Sequence, residues 1–174
     1  MTEQPSPVHP KIAKAAVDKF LADPDWQRHA AESGWEIRRH DSLTLIVSLG
    51  ARPIGEAGEG ERYLLRLTCD YCPTHPPDVR FVHPQTLEYD PGSDQQHLPL
   101  LSAPDCHVHL NYGYPHGYPY GSQLVCSSLT LGYYFSGHSP TPDQAWDPKR
   151  HSIGSSINIV HRALNSEHYK GRQP

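Results

Sequence analysis

Residues 72–81 read Cys72-Pro73-Thr74-His75-Pro76-Pro77-Asp78-Val79-Arg80-Phe81. Proline fixes φ and donates no ladder hydrogen bond, so Pro73 ends the preceding edge of a sheet and the rigid Pro76-Pro77 pair redirects the chain. Val79 and Phe81 then alternate with Asp78 and Arg80, which predicts a short strand over 78–82 with the two apolar residues pointing inward. Upstream, the same period of two recurs. Residues 35–39 begin a strand-like region, and residues 42–51 alternate at Leu43, Leu45, Val47 and Leu49. Residues 54–60 are rich in Gly and Glu and predict a turn, and residues 63–68 predict a third strand. Strands at this spacing, joined by turns rather than helices, imply a four-strand antiparallel meander.

Two helical patterns flank the strands. Ile12, Ala13, Ala16, Val17, Phe20 and Leu21 fall on one stripe of a helix over 11–22, with Lys11, Lys14, Asp18 and Lys19 on the other face. Asp23-Pro24 stops that helix or opens a short second turn. Ile153, Ile157, Val160 and Leu164 form the core stripe of a second helix over 152–164, with Ser152 as N-cap and Gly154 weakening its first turn. Residues 1–10, with Pro5, Pro7 and Pro10, predict a flexible arm. Residues 11–174 predict a single domain with a long irregular insertion near 83–120, in which only 106–110 has strand propensity. The Tyr-Gly-Tyr-Pro-His-Gly-Tyr-Pro-Tyr-Gly run at 112–121 predicts turns only, and the tail from Asn165 is polar. Helices segregated from a meander define an α+β class.

Composition narrows the function. The chain has 174 residues, 36% hydrophobic and 20% charged, with three Trp, ten Tyr and three Phe to anchor a core. A net charge of −4 argues against nucleic acid as a partner, because binding phosphates requires an excess of Lys and Arg. No apolar run approaches the ~20 residues that span a bilayer, and the N-terminus lacks a signal-peptide core. The expectation is a cytoplasmic protein whose four cysteines (Cys69, Cys72, Cys106 and Cys126) remain reduced. They are then ligands, core residues or nucleophiles rather than disulfides.

The 72–81 string resembles the Tyr-Pro-x-x-Pro-Pro-x-Val-x-Phe segment of ubiquitin-conjugating enzymes, with Tyr71 beside the position of the leading aromatic. Other matches follow in order. The helix at 11–22 resembles the family's first helix, and 58–68 its Gly-rich turn and third strand. Leu124-Val125-Cys126-Ser127-Ser128-Leu129 is similar to the signature around the active-site cysteine. Trp146-Asp147-Pro148 is similar to the Trp-x-Pro before the family's next helix. The resemblance covers most of 11–164. Three features depart from the eukaryotic pattern: the stretch from Pro77 to Cys126 is longer, no His-Pro-Asn triplet stands shortly before the cysteine (His83-Pro84-Gln85 lies far upstream), and the chain ends soon after one C-terminal helix. These departures are similar to the divergent conjugating enzymes of bacterial ubiquitin-like modification and phage-defence operons.

The resemblance implies that Cys126 is a catalytic nucleophile. It would carry a ubiquitin-like modifier as a thioester and pass it to an amine on a target protein, with no metal or other cofactor. It implies an adenylating activating enzyme as a partner, docked on the helix at 11–22. It also implies an Asn near the thiol to stabilise the oxyanion, and Asn111 is the Asn between Pro77 and Cys126. Each role has a plainer counterpart: Cys126 as a core thiol, Asn111 as a turn residue, and the Lys11, Lys14 and Lys19 stripe as a solvated face. His109 and His116 are alternative donors or bases. A catalytically inactive module that binds ubiquitin-like proteins on the same fold is a second reading. A third is a small zinc protein using Cys69, Cys72, Cys106 and His109, because Cys69-x-x-Cys72 has half-site spacing. The Tyr run at 112–120 is either a grip for the modifier's tail or a disordered lid.

Overall fold

The computed structural model describes residues 3–56 and 58–174. Among them are four α-helices, one 3₁₀ turn and two four-stranded antiparallel sheets, an α+β arrangement. The first sheet is the meander read from the sequence. Strands β1 (Glu36–Arg39), β2 (Thr44–Gly50), β3 (Arg62–Thr68) and β4 (Asp78–Phe81) lie side by side in chain order. Leu65 stands opposite Val47 on one side and Phe81 on the other, and Leu67 is likewise flanked by Leu45 and Val79. Cross-strand neighbours share a face, so these six side chains stack into one buried apolar layer.

Helix α1 (Pro10–Ala22) buries Ala13, Val17 and Phe20 against the core. Proline suits its first position, where the N–H would have no partner. Ile12, which the spacing assigned to the core stripe, is instead 53% exposed. It lies about 100° round the helix from Ala13, off the stripe centred on Ala13, Val17 and Phe20. Residues 3–9 form no regular element, and the Val8 N–H donates to Asp70 O at 2.9 Å. Residues 1 and 2 of the expected arm, and residue 57 of the expected turn, lie outside the described residues.

Asp23-Pro24 starts a full ten-residue helix, α2 (Pro24–Ser33), rather than a short turn. The Asp23 carboxylate accepts from the Asp25 N–H at 2.9 Å and also from that of Trp26, and Gly34 closes the helix at φ 71°. Its sequence carries no apolar stripe because Ala30 is its one buried residue. Trp26 packs over the start of the last helix, α4 (Ile153–Leu164), whose Ile153, Ile157, Val160 and Leu164 are buried as their spacing predicts. Gly154 is what permits this contact, since a Cβ there would stand 2.3 Å from Trp26 Cδ2. Gly154→Ala gains about 1 kcal/mol of helix propensity. It is nevertheless expected to destabilise the fold by about 1–3 kcal/mol through overpacking. Urea unfolding checks this, and an unchanged or higher midpoint would mean that the indole yields freely.

The insertion departs from its expected irregularity. After a 3₁₀ turn, η1 (Gln95–His97), it forms a hairpin of β5 (Pro99–Ala103) and β6 (Cys106–His109). This hairpin is the centre of a second sheet, ordered β7 (Leu124–Cys126), β6, β5, β8 (Tyr169–Arg172). The polar tail therefore also contains a strand. Tyr169 is fully buried there, with its hydroxyl 2.6 Å from that of Tyr63 on β3. One apolar core draws on both sheets, α1 and α4. Gln123 links the sheets by acting as one more rung of β4: its side-chain amide accepts the Phe81 N–H at 2.7 Å and donates to Phe81 O at 2.9 Å. Among the described residues, no helix is long and apolar enough to cross a membrane.

Candidate functional site around Cys126

Strand β7 is three residues long, and its register decides where the thiol points. Cys126 pairs with His107 and Leu124 with His109. Directly opposed residues share a face, as do residues two apart on one strand. Cys126, His107 and His109 therefore stand together on one side of the second sheet, while Val125 is buried on the other. The two imidazoles stack with centroids 4.4 Å apart. Burial, followed by the nearby His107 and His138, lowers the His109 pKa, so this ring is neutral near pH 7.

The chain turns sharply after Cys126. The Thr130 hydroxyl donates to Val125 O and Ser127 O, and the Leu129 N–H donates to Ser127 Oγ. This turn delivers the short helix α3 (Leu131–Phe135). It leaves Cys126 facing a cleft of about 730 Å³ lined also by His107, His109, Tyr133, His138 and His151. Cys69, Cys72 and Cys106 are buried, whereas Cys126 is part-exposed. Partial burial raises the Cys126 pKa, so the sulfur is mainly a thiol at neutral pH and needs a base to become nucleophilic.

His138 brings an imidazole beside the sulfur. Its Nδ1 lies 3.8 Å from Cys126 Sγ and 2.8 Å from Ser136 Oγ. The Ser136 hydroxyl reaches Tyr133 O at 2.6 Å. When that hydroxyl proton goes to Tyr133 O, Ser136 Oγ accepts from a protonated Nδ1, and the ring presents the same proton towards the sulfur. To act as a base towards the thiol, Nδ1 must first pass that proton to Nε2, which turns its lone pair to the sulfur. Sequence reasoning missed His138, which lies twelve positions beyond Cys126 in a Ser/Gly/Pro loop with no distinguishing pattern.

The other candidates fall differently. His109 lines the cleft, but His116 and Asn111 are exposed and do not. Asn111 sits just beyond β6, where the register runs away from the thiol: His109 faces Leu124, and the Tyr112 N–H donates to Ser122 O at 2.6 Å. The proposed zinc ligands do not converge. Cys69 and Cys72 contact each other, while the charged or titrating neighbours of Cys106 are Asp105 and Cys126. Among the described residues, these four side chains form no cluster of three or more donors.

The Tyr run is anchored rather than a disordered lid. Tyr118 donates to the buried Asp78 carboxylate at 2.6 Å, and Tyr114 donates to Gln123 O at 2.9 Å. Arg80 pairs with Asp78 at 2.8 Å and donates to Tyr120 O at 2.9 Å. Rings of the run pack on Tyr71, Leu131 and Phe135. The Pro-rich string and the Trp-x-Pro also meet. The Trp146 indole N–H donates to Pro73 O at 2.8 Å, and the Trp146 backbone N–H donates to the Tyr134 hydroxyl, which itself donates to Ser128 O. A continuous chain of contacts thus runs from the Pro73 segment to the residue two beyond the thiol. Comparison with family models, with curated proteins and with solved structures finds no match to this chain.

Proposed function

We propose that this is a cysteine-dependent acyl carrier. More specifically, it is a ubiquitin-conjugating-like transferase of the divergent bacterial kind, one that loads a ubiquitin-like modifier on Cys126. The observation that carries the reading is the Cys126 sulfur at the edge of an open cleft, with an imidazole nitrogen 3.8 Å away. The ordered motifs around it, and the contact between Trp146 and Pro73, support it further.

In the first half-reaction, His138 takes the Cys126 proton and the thiolate attacks the carbonyl carbon of the modifier's C-terminus, held as a thioester on the activating enzyme. The C–S bond to the activating enzyme breaks as the C–S bond to Cys126 forms, and the departing thiolate is reprotonated. In the second, a target amine attacks the same carbon, loses its proton to a base and expels the Cys126 thiolate. Ser127 and Ser128 are small enough to leave room for an extended tail. Helix α1 exposes Lys11, Ile12 and Lys19 as a docking face for the activating enzyme, while Lys14 is paired with Asp18 at 2.8 Å.

Incubation with an activating enzyme, a ubiquitin-like protein and ATP is expected to give an adduct on Cys126 that dithiothreitol releases. An adduct on another cysteine, or none with any activating pair from a bacterial conjugation operon, would overturn the proposal. A binding module without transfer is the rival, favoured by the raised thiol pKa and by the absence of Asn111 from the cleft lining. It predicts modifier binding with no adduct.

A further inference from the structure

We infer that His83, Asp94 and His97 form a binding site for a borderline divalent metal ion such as Zn²⁺, remote from the Cys126 cleft and spanning the link between the two sheets. The three side chains come from two points of the chain. His83 lies just after β4, while Asp94 precedes η1 and His97 is its last residue. In a 3₁₀ turn, residues three apart eclipse one another, so Asp94 and His97 present a carboxylate and an imidazole on the same face. The His83 ring packs against that face, its centroid 4.3 Å from that of His97. One donor atom from each residue lies within 4.8 Å of the other two.

Two imidazoles and a carboxylate are the donor set that zinc and its neighbours prefer, with a remaining position for water. Zinc–ligand bonds of about 2.0–2.2 Å place tetrahedral donors roughly 3.3–3.5 Å apart. Capture therefore needs a contraction of up to about 1.5 Å, within reach of side-chain rotation on a turn. The local charges suit a cation. Asp94 supplies one negative charge, and Arg172, the nearby positive group, is committed to Glu61 at 2.7 Å and to Gln96 O at 2.9 Å.

Binding also acts on the chain. His83 Nδ1 accepts the Gln85 N–H at 3.0 Å, which places the ring proton on Nε2. Ligation through Nε2 moves that proton to Nδ1 and releases the Gln85 N–H. The turn over 83–87, where Leu87 sits at φ 59°, must therefore rearrange as the metal binds. The site would stabilise the passage from β4 to β5 and couple metal occupancy to that turn.

Calorimetric titration of the full chain with ZnCl₂ tests this. We expect one equivalent per chain, retained in Cys126→Ser and weakened on the order of 100-fold in both His83→Gln and Asp94→Asn. Carbethoxylation of the wild-type chain gives a readout that needs no variant: zinc is expected to protect His83 and His97 but not the exposed His9 and His116. Absence of a one-equivalent event, binding that survives both substitutions, or protection confined to the His107 and His138 cleft would overturn the assignment.

Discussion

Cys126→Ala is expected to eliminate adduct formation entirely, and Cys126→Ser to give a slower but dithiothreitol-resistant oxyester wherever any transfer persists. The contrast follows from chemistry: a thiolate is both a good nucleophile and a good leaving group, whereas an alkoxide is neither at neutral pH. The same geometry predicts a graded effect at His138. Burial raises the Cys126 pKa, so in the proposed reaction the base that removes its proton would carry much of the rate. His138→Ala is expected to slow loading by about 10²-fold or more, the usual scale of general-base catalysis. Its deficit should shrink as pH rises towards the thiol pKa, where the base is no longer needed. Asn111→Ala is expected to leave the rate close to wild type, because Asn111 is exposed and outside the cleft. Gel-resolved loading kinetics over a pH series check all of these. Equal rates for His138→Ala and wild type at neutral pH would remove His138 from the mechanism.

The largest expected effect on stability lies at Asp78. Its carboxylate is fully buried and accepts from Arg80 Nε and the Tyr118 hydroxyl. Burial pushes the Asp78 pKa up while Arg80 and Tyr118 pull it down, so the charge depends on these partners. Removing one partner of a buried ion pair leaves the other desolvated and unpaired, at a cost of about 3–5 kcal/mol. For a domain of this size, Asp78→Ala is expected to lower Tm by roughly 6–20 °C. Asp78→Asn, which keeps one acceptor, should cost less. Because Arg80 and Tyr118 tie down the 112–121 run, limited proteolysis of Asp78→Ala should cut first within that run. Unchanged melting would mean that the pair is solvated and that the Tyr run is held by ring packing alone.

What the sequence reveals about this fold follows the strength of each local pattern. Val47, Leu65 and Phe81 sit on strands whose alternation is regular, and the meander is readable from them. Ile157, Val160 and Leu164 make α4 equally plain. The second sheet is hidden because its strands violate the usual signals. β5 opens on Pro99, β7 is three residues long, and β8 reads Tyr-Lys-Gly-Arg with Gly171 at φ 103°. Such strands form because long-range pairing and burial of Leu101, Val125 and Tyr169 override weak local preference. α2 is hidden for a related reason: a mostly exposed helix needs no apolar stripe.

At the site, Cys126 stands out in the sequence through its small and apolar neighbours and the motifs on either side. His138 does not, because only the folding of the 136–142 loop back over the end of β7 brings it within reach. Asn111 illustrates the opposite case. It is the Asn between Pro77 and Cys126, yet β6 and β7 pair through residues 107–109 and 124–126, leaving it outside the cleft.

Timed alkylation of the native chain with iodoacetamide, mapped by peptide mass spectrometry, reads whether the Cys126 sulfur is open to attack in the folded protein. Cys126 is predicted to be modified first, at a rate that falls in His138→Ala, while Cys69, Cys72 and Cys106 react only after denaturation. A Cys126 as unreactive as the three buried thiols in the native chain would mean that this sulfur carries no modifier.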